Sequence, residues 1–204
     1  MTLADRCVAF ERAFRKWPAS HPRLVSEQGR TVLYATWLIG NDYRNKSQLY
    51  GAYPRGYLER VAALFPDATA GDTLHVFSGA VPCGPYQRLD LARRFDGSAL
   101  GFVQGNVYDV AELFSGEQFG LVIADPPYSP ADAAEYNTLM VDRRRAVMAL
   151  AQVTKSGGYL AWLDMCWPMH SKTQWLTVGR ILVQRSTNHR VRVLTLFERT
   201  ATNV

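Results

Sequence analysis

The 204-residue chain is 48% hydrophobic and 20% charged, and its formal net charge is +5. This length suits one well-buried domain, and the balance of residue types excludes a disordered or fibrous chain. No apolar run approaches the roughly 18 residues of a membrane-spanning helix, and charges interrupt the apolar residues of the N-terminus, so we expect neither a membrane span nor a secretory signal.

The first 66 residues are predicted to form a helical and hairpin extension. A helix is expected in "LADRCVAFERAFRKW", two strands around Gln28-Gly29 in "RLVSEQGRTVLYATWLIG", and a second helix from about Gly56 to Leu64. We expect this extension, residues 1–66, to pack on the core of a single domain that spans residues 1–204.

From about residue 70, apolar segments alternate with turns or short helices. The segments are "TLHVFSG", "YQRLDLA", "ALGFVQGN", "FGLVIADPPY" and "GGYLAWLD". Several are continuous rather than alternating, which is typical of strands buried on both faces by helices. A helix is predicted in "TLMVDRRRAVMALAQV" with a stop signal at residues 155–157, and "WLTVGRILVQR" and "RVRVLTLFER" form a hairpin around "STNH". The prediction is an α/β fold whose mostly parallel sheet carries an antiparallel C-terminal hairpin.

The segment Asp125-Pro126-Pro127-Tyr128 follows the apolar strand "FGLVI", and ligands of open α/β sheets bind beyond the carboxyl ends of strands. Each proline fixes φ and removes an amide donor, so a carboxylate and a carbonyl are held as fixed, converging acceptors. Two such acceptors suit an amine on an aromatic ring, because they stabilise the positive charge that develops as the nitrogen attacks. Tyr128 offers a ring face to a base taken out of its stack. The alternative is a purely structural turn.

This tetrapeptide resembles the (Asp/Asn/Ser)-Pro-Pro-(Tyr/Phe/Trp) motif of S-adenosylmethionine-dependent amino-methyltransferases, above all DNA adenine-N6 and cytosine-N4 enzymes. The resemblance covers roughly residues 40 to 200 and is specific at the tetrapeptide. It implies a Rossmann-like methyltransferase fold and S-adenosylmethionine as the cofactor. It also implies that Asp125, Pro126, Pro127 and Tyr128 are catalytic, with Tyr128 contacting the substrate base as well.

The resemblance implies a cofactor site after the strand "TLHVF". The family's Phe-x-Gly turn has its counterpart in Phe77-Ser78-Gly79, where glycine lets the backbone approach the cofactor and the ring can pack on the sulfonium. Asp90 ends the next strand and is a candidate for the ribose hydroxyls, or else a surface carboxylate. Asp90 follows Gly79 by 11 positions, where a dinucleotide-type unit has about 20. The crossover helix must therefore be very short or replaced by a loop.

Four further residues are candidates for the cofactor. The third strand ends in "QGNVYDV", where Asn106 or Asp109 could meet the adenine; Asp109 is slightly preferred, and helix capping is its other possible use. Upstream, Asn45 and Lys46 could touch the methionine carboxylate or lie at the surface.

Fewer features of the sequence indicate how a substrate would be recognised. Only 45 residues lie between Gly79 and Asp125, so we expect no inserted target-recognition domain there. Recognition would then come from the first 60 residues, from a partner subunit or through a homo-oligomer. The hairpin tip contributes the substrate candidates Asn188, His189, Arg190 and Arg192, next to Arg185. They could contact phosphates or the extruded base, or form a solvated hairpin, and residues 143–145 are predicted to be a solvated helix face.

Cysteine and histidine usage indicates an intracellular protein without a metal. Cys7, Cys83 and Cys166 are odd in number, widely spaced and form no CxxC pair, which argues against disulfides and a zinc knuckle. The isolated histidines also lack metal-ligand spacing. We therefore expect a cytoplasmic location and no metal.

The favoured function is a DNA adenine-N6 methyltransferase whose nucleic-acid partner is DNA. An RNA base methyltransferase, acting on ribosomal or transfer RNA, is the first alternative. The second is a catalytically silent methyltransferase-fold subunit that binds nucleic acid for a partner.

Overall fold

The architecture was taken from a computed structural model, which describes residues 1–40, 53–93, 98–186 and 190–201. The strands are β1 (Arg23–Glu27), β2 (Arg30–Ile39), β3 (Thr73–Val76), β4 (Gln87–Asp90), β5 (Phe102–Gln104), β6 (Phe119–Ala124), β7 (Thr154–Asp164), β8 (Trp175–Arg185) and β9 (Val191–Arg199). The helices are α1 (Leu3–Ala13), α2 (Tyr57–Leu64), α3 (Val110–Leu113), α4 (Pro130–Glu135) and α5 (Arg143–Val153). All nine strands form one sheet in the order β1-β2-β8-β9-β7-β6-β3-β4-β5.

The strand directions confirm the predicted α/β fold class with a Rossmann-like, mostly parallel sheet. Strands β3 to β7 are parallel to one another, and β9 runs antiparallel between β7 and β8. The sheet is therefore mostly parallel, with an antiparallel hairpin from the C-terminal segment. Because β3 and β6 are parallel neighbours, Phe77-Ser78-Gly79 and the Asp-Pro-Pro-Tyr segment leave the sheet at the same edge.

The N-terminal hairpin extends this sheet beyond β8. Its turn uses Gln28 (φ 48°) and Gly29 (φ 77°), two left-handed residues that match the twist of the flanking strands. Strand β2 then pairs in parallel with β8, ending with Ile39 opposite Arg185. The end of β2 is thereby brought to the sheet edge that carries the predicted site.

Apolar side chains cover both faces of the sheet. Along β6, Leu121 and Ile123 belong to a core cluster that includes residues of α1 and α2, whereas Val122 and Ala124 belong to a second cluster with residues of α3 and α5. This alternation follows from the two-residue period of a strand. The continuous apolar run of β6 is thus buried from both sides, as predicted.

Helix α5 is shorter than the sequence predicts. It begins after Asp142, whose carboxylate accepts a hydrogen bond from the Arg145 backbone N–H at 3.0 Å, so residues 138–141 lie before it. It ends at Val153, directly before β7, and the predicted stop signal at 155–157 lies inside that strand. The segment freed from the helix becomes part of the site described below.

The crossover from β3 to β4, residues 77–86, is a loop without a helix, as its short length predicts. Arg88, fully buried at the centre of β4, holds this loop. Its guanidinium donates to the carbonyls of Val81 at 2.9 Å and Leu100 at 2.8 Å. These charge-assisted bonds thus satisfy a carbonyl of the helix-free loop and one of the segment before β5, and they tie the two together.

Candidate active site

A cavity of about 640 Å³ lies beyond the carboxyl ends of β3, β4, β5 and β6. This volume is within the range of small-molecule sites. The predicted residues that line the cavity are Phe77, Gly79, Asp90, Asn106, Asp125 and Pro127. Those that do not line it are Ser78, Asp109, Pro126, Tyr128, Arg190 and Arg192. The predicted Asn45, Lys46, Asn188 and His189 lie outside the described residues.

The turn after β3 has an unusual backbone. Phe77 has φ 56° and Gly79 has φ 51°, and a left-handed conformation is costly for a residue that has a Cβ. The Gly79 N–H donates to the Asp90 carboxylate at 2.8 Å, and the other Asp90 oxygen accepts from the Ala92 N–H at 3.2 Å. Asp90 therefore ties the ends of β3 and β4 together while keeping lone pairs for further donors.

At the far end of the cavity, Asn106 rather than Asp109 lies on the wall. The Asn106 side-chain oxygen accepts from the Tyr108 backbone N–H at 3.1 Å, which fixes the amide. Asp109 occupies the N-cap position of α3 without a side-chain capping bond. The structure therefore places Asn106, and not the slightly preferred Asp109, on the cavity wall, and contact of either residue with an adenine stays a prediction.

Residues 135–141, between α4 and α5, form a further wall of the cavity. The sequence pattern does not reveal this wall, because the apolar residues Leu139, Met140 and Val141 have helical spacing and are predicted to lie in a helix. Asn137 has φ 52° and interrupts any helix before them. Asp142 supplied the one available signal, since an aspartate before a basic, apolar segment is typical of an N-cap.

Asp125 directly follows β6 and is half-buried. Burial raises the pKa of its carboxyl to about 7, although the hydrogen bond from the Tyr128 hydroxyl and the charge of Arg192 act to lower it. The pKa of an ordinary aspartate carboxyl is about 3.9, so such a group loses its proton far below pH 7. Asp125 can therefore exist as a carboxylate or as an acid near neutral pH, which is typical of groups that transfer protons.

Tyr128 lies between Asp125 and the C-terminal hairpin. Its hydroxyl donates to Asp125, and the Arg192 guanidinium carbon lies 5.1 Å from its ring centroid. One face of the predicted stacking ring is thus covered by an arginine. The ring's contact with a substrate base stays a prediction.

Arg143 anchors the tetrapeptide and is not part of a solvated helix face, so that prediction was wrong for this residue. Its Nε donates to fully buried Asp164 at 2.7 Å, and its Nη2 donates to the Tyr128 carbonyl at 2.9 Å. Arg144 and Arg145, in contrast, are exposed as expected. The N-terminus of α5 is therefore locked to the turn that carries Asp125.

The hairpin arginines have different surroundings. Arg190 forms an ion pair with Asp132 at 3.2 Å, whereas Arg192 is 8% exposed and packs on Tyr128. Arg185, at the end of β8, is half-buried. Of the two described hairpin arginines predicted to bind substrate, Arg192 contacts the tetrapeptide through Tyr128, whereas Arg190 is paired with Asp132.

The cavity residues fit S-adenosylmethionine. The Asp90 carboxylate can accept hydrogen bonds from paired ribose hydroxyls, and the Phe77 ring provides an apolar surface. Gly79, in the turn after β3, has no side chain to block the approach of a ligand to the backbone. The cluster is electrically suited to a cation, because both Asp90 and Asp125 line the same cavity. Over the described ranges we find no group of His, Cys, Asp and Glu side chains that could hold a metal ion.

No helix among the described residues is both long and apolar enough to span a membrane.

Comparison with solved structures finds proteins of similar architecture. TrmN from Thermus thermophilus has a TM-score of 0.49 at 12% identity, over 73% of this chain and 50% of its own. The Escherichia coli protein yhhF, provisionally described as a methyltransferase, has a TM-score of 0.49 at 12% identity, over 88% of this chain and 98% of its own. SMU.776, also provisionally a methyltransferase and solved with SAH, has a TM-score of 0.46 at 14% identity, over 88% of this chain and 56% of its own.

The chain thus spans half the length of TrmN. No protein-family model and no curated protein matches the sequence.

Proposed function

We propose that the protein is an S-adenosylmethionine-dependent methyltransferase that acts on the exocyclic N6 amine of adenine in DNA. The observation that carries the proposal is the position of Asp125. Its carboxylate borders the same cavity as Phe77, Gly79 and Asp90. An acceptor for an amine is therefore placed beside a site that fits a methyl donor.

The cofactor would be held by four residues of the cavity. Asp90 would accept hydrogen bonds from ribose hydroxyls, Asn106 would meet the adenine, and Phe77 and Gly79 would flank the methionine part. When bound, S-adenosylmethionine supplies an electrophilic methyl group. Residues 135–141 would cover this site and limit the access of water.

Asp125 would have two successive tasks. As a carboxylate it accepts an N–H of the amine and stabilises the positive charge that develops on the attacking nitrogen. With a pKa of about 7 it can then accept the proton that the methylated nitrogen gives up, because the ideal catalytic pKa lies near the working pH. The Pro126 carbonyl, on its stiff backbone, would accept the second N–H.

Arg143 and Tyr128 would hold Asp125 in this position. Arg143 fixes the carbonyl of Tyr128, and the Tyr128 hydroxyl fixes one Asp125 oxygen. Because the turn is bound at both ends, little reorganisation would be needed when the amine arrives. Tyr128 could also support the base through the ring face that Arg192 leaves open.

The alternative substrate is an exocyclic amine of RNA, which the same acceptors would suit. A silent nucleic-acid-binding subunit is the remaining alternative. It is disfavoured by the intact Asp125 and by the cavity beside it.

A transfer assay separates the three functions. The purified protein is incubated with methyl-labelled S-adenosylmethionine and, in separate reactions, DNA or RNA, and the digested nucleosides are identified by mass spectrometry. The expected product is N6-methyladenine in DNA. Label in RNA alone would select the RNA function, and binding of the donor without transfer to either polymer would select the silent subunit.

A further inference from the structure

Arg185 and Arg192 lie close together on the face of the sheet that α1 and α2 cover. On the antiparallel strands β8 and β9, Val183 is the direct partner of Arg192, and Arg185 is two positions farther along β8. Two residues at this diagonal offset share a face and are within reach of long side chains. Val183 belongs to the core cluster of that face. The pair therefore stands at its rim, where the hairpin meets the tetrapeptide.

Parts of both guanidinium groups are buried without a hydrogen-bond partner among the described residues. Arg192 is 8% exposed, and within this part of the chain its Nε and Nη1 are unpaired, as is Nε of Arg185. The hydroxyls of Tyr53 and Tyr57 are also buried and unpaired. Burying such donors without acceptors costs free energy. Several donors in this part of the molecule thus lack an acceptor.

The charges around the pair are not balanced. Burial, and next the charge of Arg192, lowers the pKa of Arg185. The carboxylate that faces both arginines is Asp125, which its own burial tends to protonate. The neighbouring carboxylates are committed elsewhere, Asp164 to Arg143 and Asp132 to Arg190. Among the residues that the structure describes, these two cations therefore share at most one carboxylate.

We infer that Arg185 and Arg192 bind a phosphate of the nucleotide whose base is presented to Asp125. The inference rests on the proposed function and names the part of the substrate that this side of the site takes. Guanidinium groups offer planar pairs of N–H donors that match phosphate oxygens. A phosphate would supply the missing acceptors and the missing negative charge. Because Arg192 also packs on Tyr128, the bound phosphate would orient the attached base toward the tetrapeptide.

The test measures binding without methyl transfer. Adenosine 5′-monophosphate and adenosine are titrated into the protein loaded with S-adenosylhomocysteine, which carries no transferable methyl group. We expect the monophosphate to bind at least about tenfold more tightly than adenosine, a gain typical of charge-assisted hydrogen bonds. Inorganic phosphate should compete with the monophosphate and not with adenosine. Equal affinities of the two ligands for the wild-type protein would overturn the inference.

Two variants and a matched control assign the preference to these residues. Arg192→Gln and Arg185→Gln should each reduce the preference for the monophosphate to within about twofold, whereas Arg144→Gln, which removes an exposed arginine from the same molecule, should keep it. The melting temperature and the affinity for S-adenosylhomocysteine should not fall in Arg192→Gln, since that substitution removes a buried, unpaired charge. A clear fall in both would identify Arg192 as structural and contradict the inference.

The outcome is separable from that of the transfer assay. If neither DNA nor RNA is methylated but the preference for the monophosphate depends on Arg192, the phosphate site stands and the proposed function fails. If DNA is methylated and the monophosphate has no advantage over adenosine, the proposed function stands and the phosphate site fails.

Discussion

The two sides of Asp125 differ in how their polar groups are satisfied. On the cavity side, Asp90 and Asn106 are already bonded to backbone N–H groups. On the hairpin side, guanidinium nitrogens of Arg185 and Arg192 are buried without hydrogen-bond partners in the part of the chain that the structure describes. Groups that are bonded before a ligand arrives are preorganised, whereas unpaired groups gain their bonds only from the ligand. The proposed cofactor side is thus preorganised in the protein alone, whereas the proposed substrate side would gain its missing bonds from an anion.

The buried charges around Asp125 also differ in whether they are paired. Arg143 and fully buried Asp164 form a two-bond ion pair, and Asp164 also accepts from the Trp162 indole at 3.2 Å. Arg192 forms no ion pair with a carboxylate of the described residues, and it packs on Tyr128 near Asp125. The first arrangement stabilises the fold, whereas the second is costly and is expected at a functional site.

The largest change in stability should come from breaking the ion pair between Arg143 and Asp164. Arg143→Gln leaves Asp164 buried without its cation, so we expect the free energy of unfolding to fall by about 3 kcal/mol. Arg192→Gln should not lower it, because that substitution removes a buried, unpaired charge, and exposed Arg144→Gln should change it by no more than about 0.5 kcal/mol. Urea unfolding of the three variants measures the difference. Equal losses at Arg143 and Arg192 would remove the distinction between the two sides.

The next effect concerns the cofactor side alone. Gly79→Asp places a second carboxylate beside Asp90 and a side chain in the cavity, so the affinity for S-adenosylmethionine should fall well over tenfold, or about 1.4 kcal/mol. Gly116→Asp is the matched control, because Gly116 also has a left-handed φ (81°) but its added Cβ would meet no atom within 4 Å. Calorimetric titration of both variants gives the comparison. An unchanged affinity in folded Gly79→Asp would move the donor site elsewhere.

The smallest effect is a shift in pH dependence. Because Asp125 must be ionised to accept the amine hydrogen, kcat/KM should fall as the pH drops through about 7, the raised pKa of this carboxyl. The hydrogen bond from Tyr128 lowers that pKa, so Tyr128→Phe should move the inflection to higher pH and reduce the rate a few-fold at pH 7.

Tyr34→Phe provides the control for this shift, since the Tyr34 hydroxyl donates to Glu27 on the N-terminal hairpin, away from the cavity. Its pH profile should match that of the wild type. A profile that does not move in Tyr128→Phe would mean that Asp125 is not the group that titrates.

Local patterns were sufficient to predict the strands and the turns that follow them. The Phe77 and Asp125 turns could be placed because each follows an apolar run, and the parallel pairing of β3 and β6 brings such ends together. The wall at 135–141 could not, because its apolar residues have helical spacing and only Asp142 marks the true start of α5.

Long-range charge pairing was also beyond the sequence. Arg143 reads as one of three adjacent arginines, and only packing decides that it turns toward Asp164, 21 positions away, while Arg144 stays exposed. The same holds for Arg88, whose partners are the carbonyl of Val81 in the β3–β4 loop and that of Leu100 before β5. Which of several like charges becomes buried depends on the tertiary neighbours of each, and the sequence pattern does not contain them.

The most direct test of the account is the single-turnover rate of methyl transfer by Asp125→Ala at saturating S-adenosylmethionine. An interaction that strengthens in the transition state acts on rate more than on binding. We therefore expect the rate to fall on the order of a hundredfold or more, as for loss of one preorganised partner of a developing charge, while the cofactor affinity changes little. If Asp125→Ala transfers the methyl group at nearly the wild-type rate, the Asp-Pro-Pro-Tyr turn is only structural and the proposed enzyme activity is contradicted.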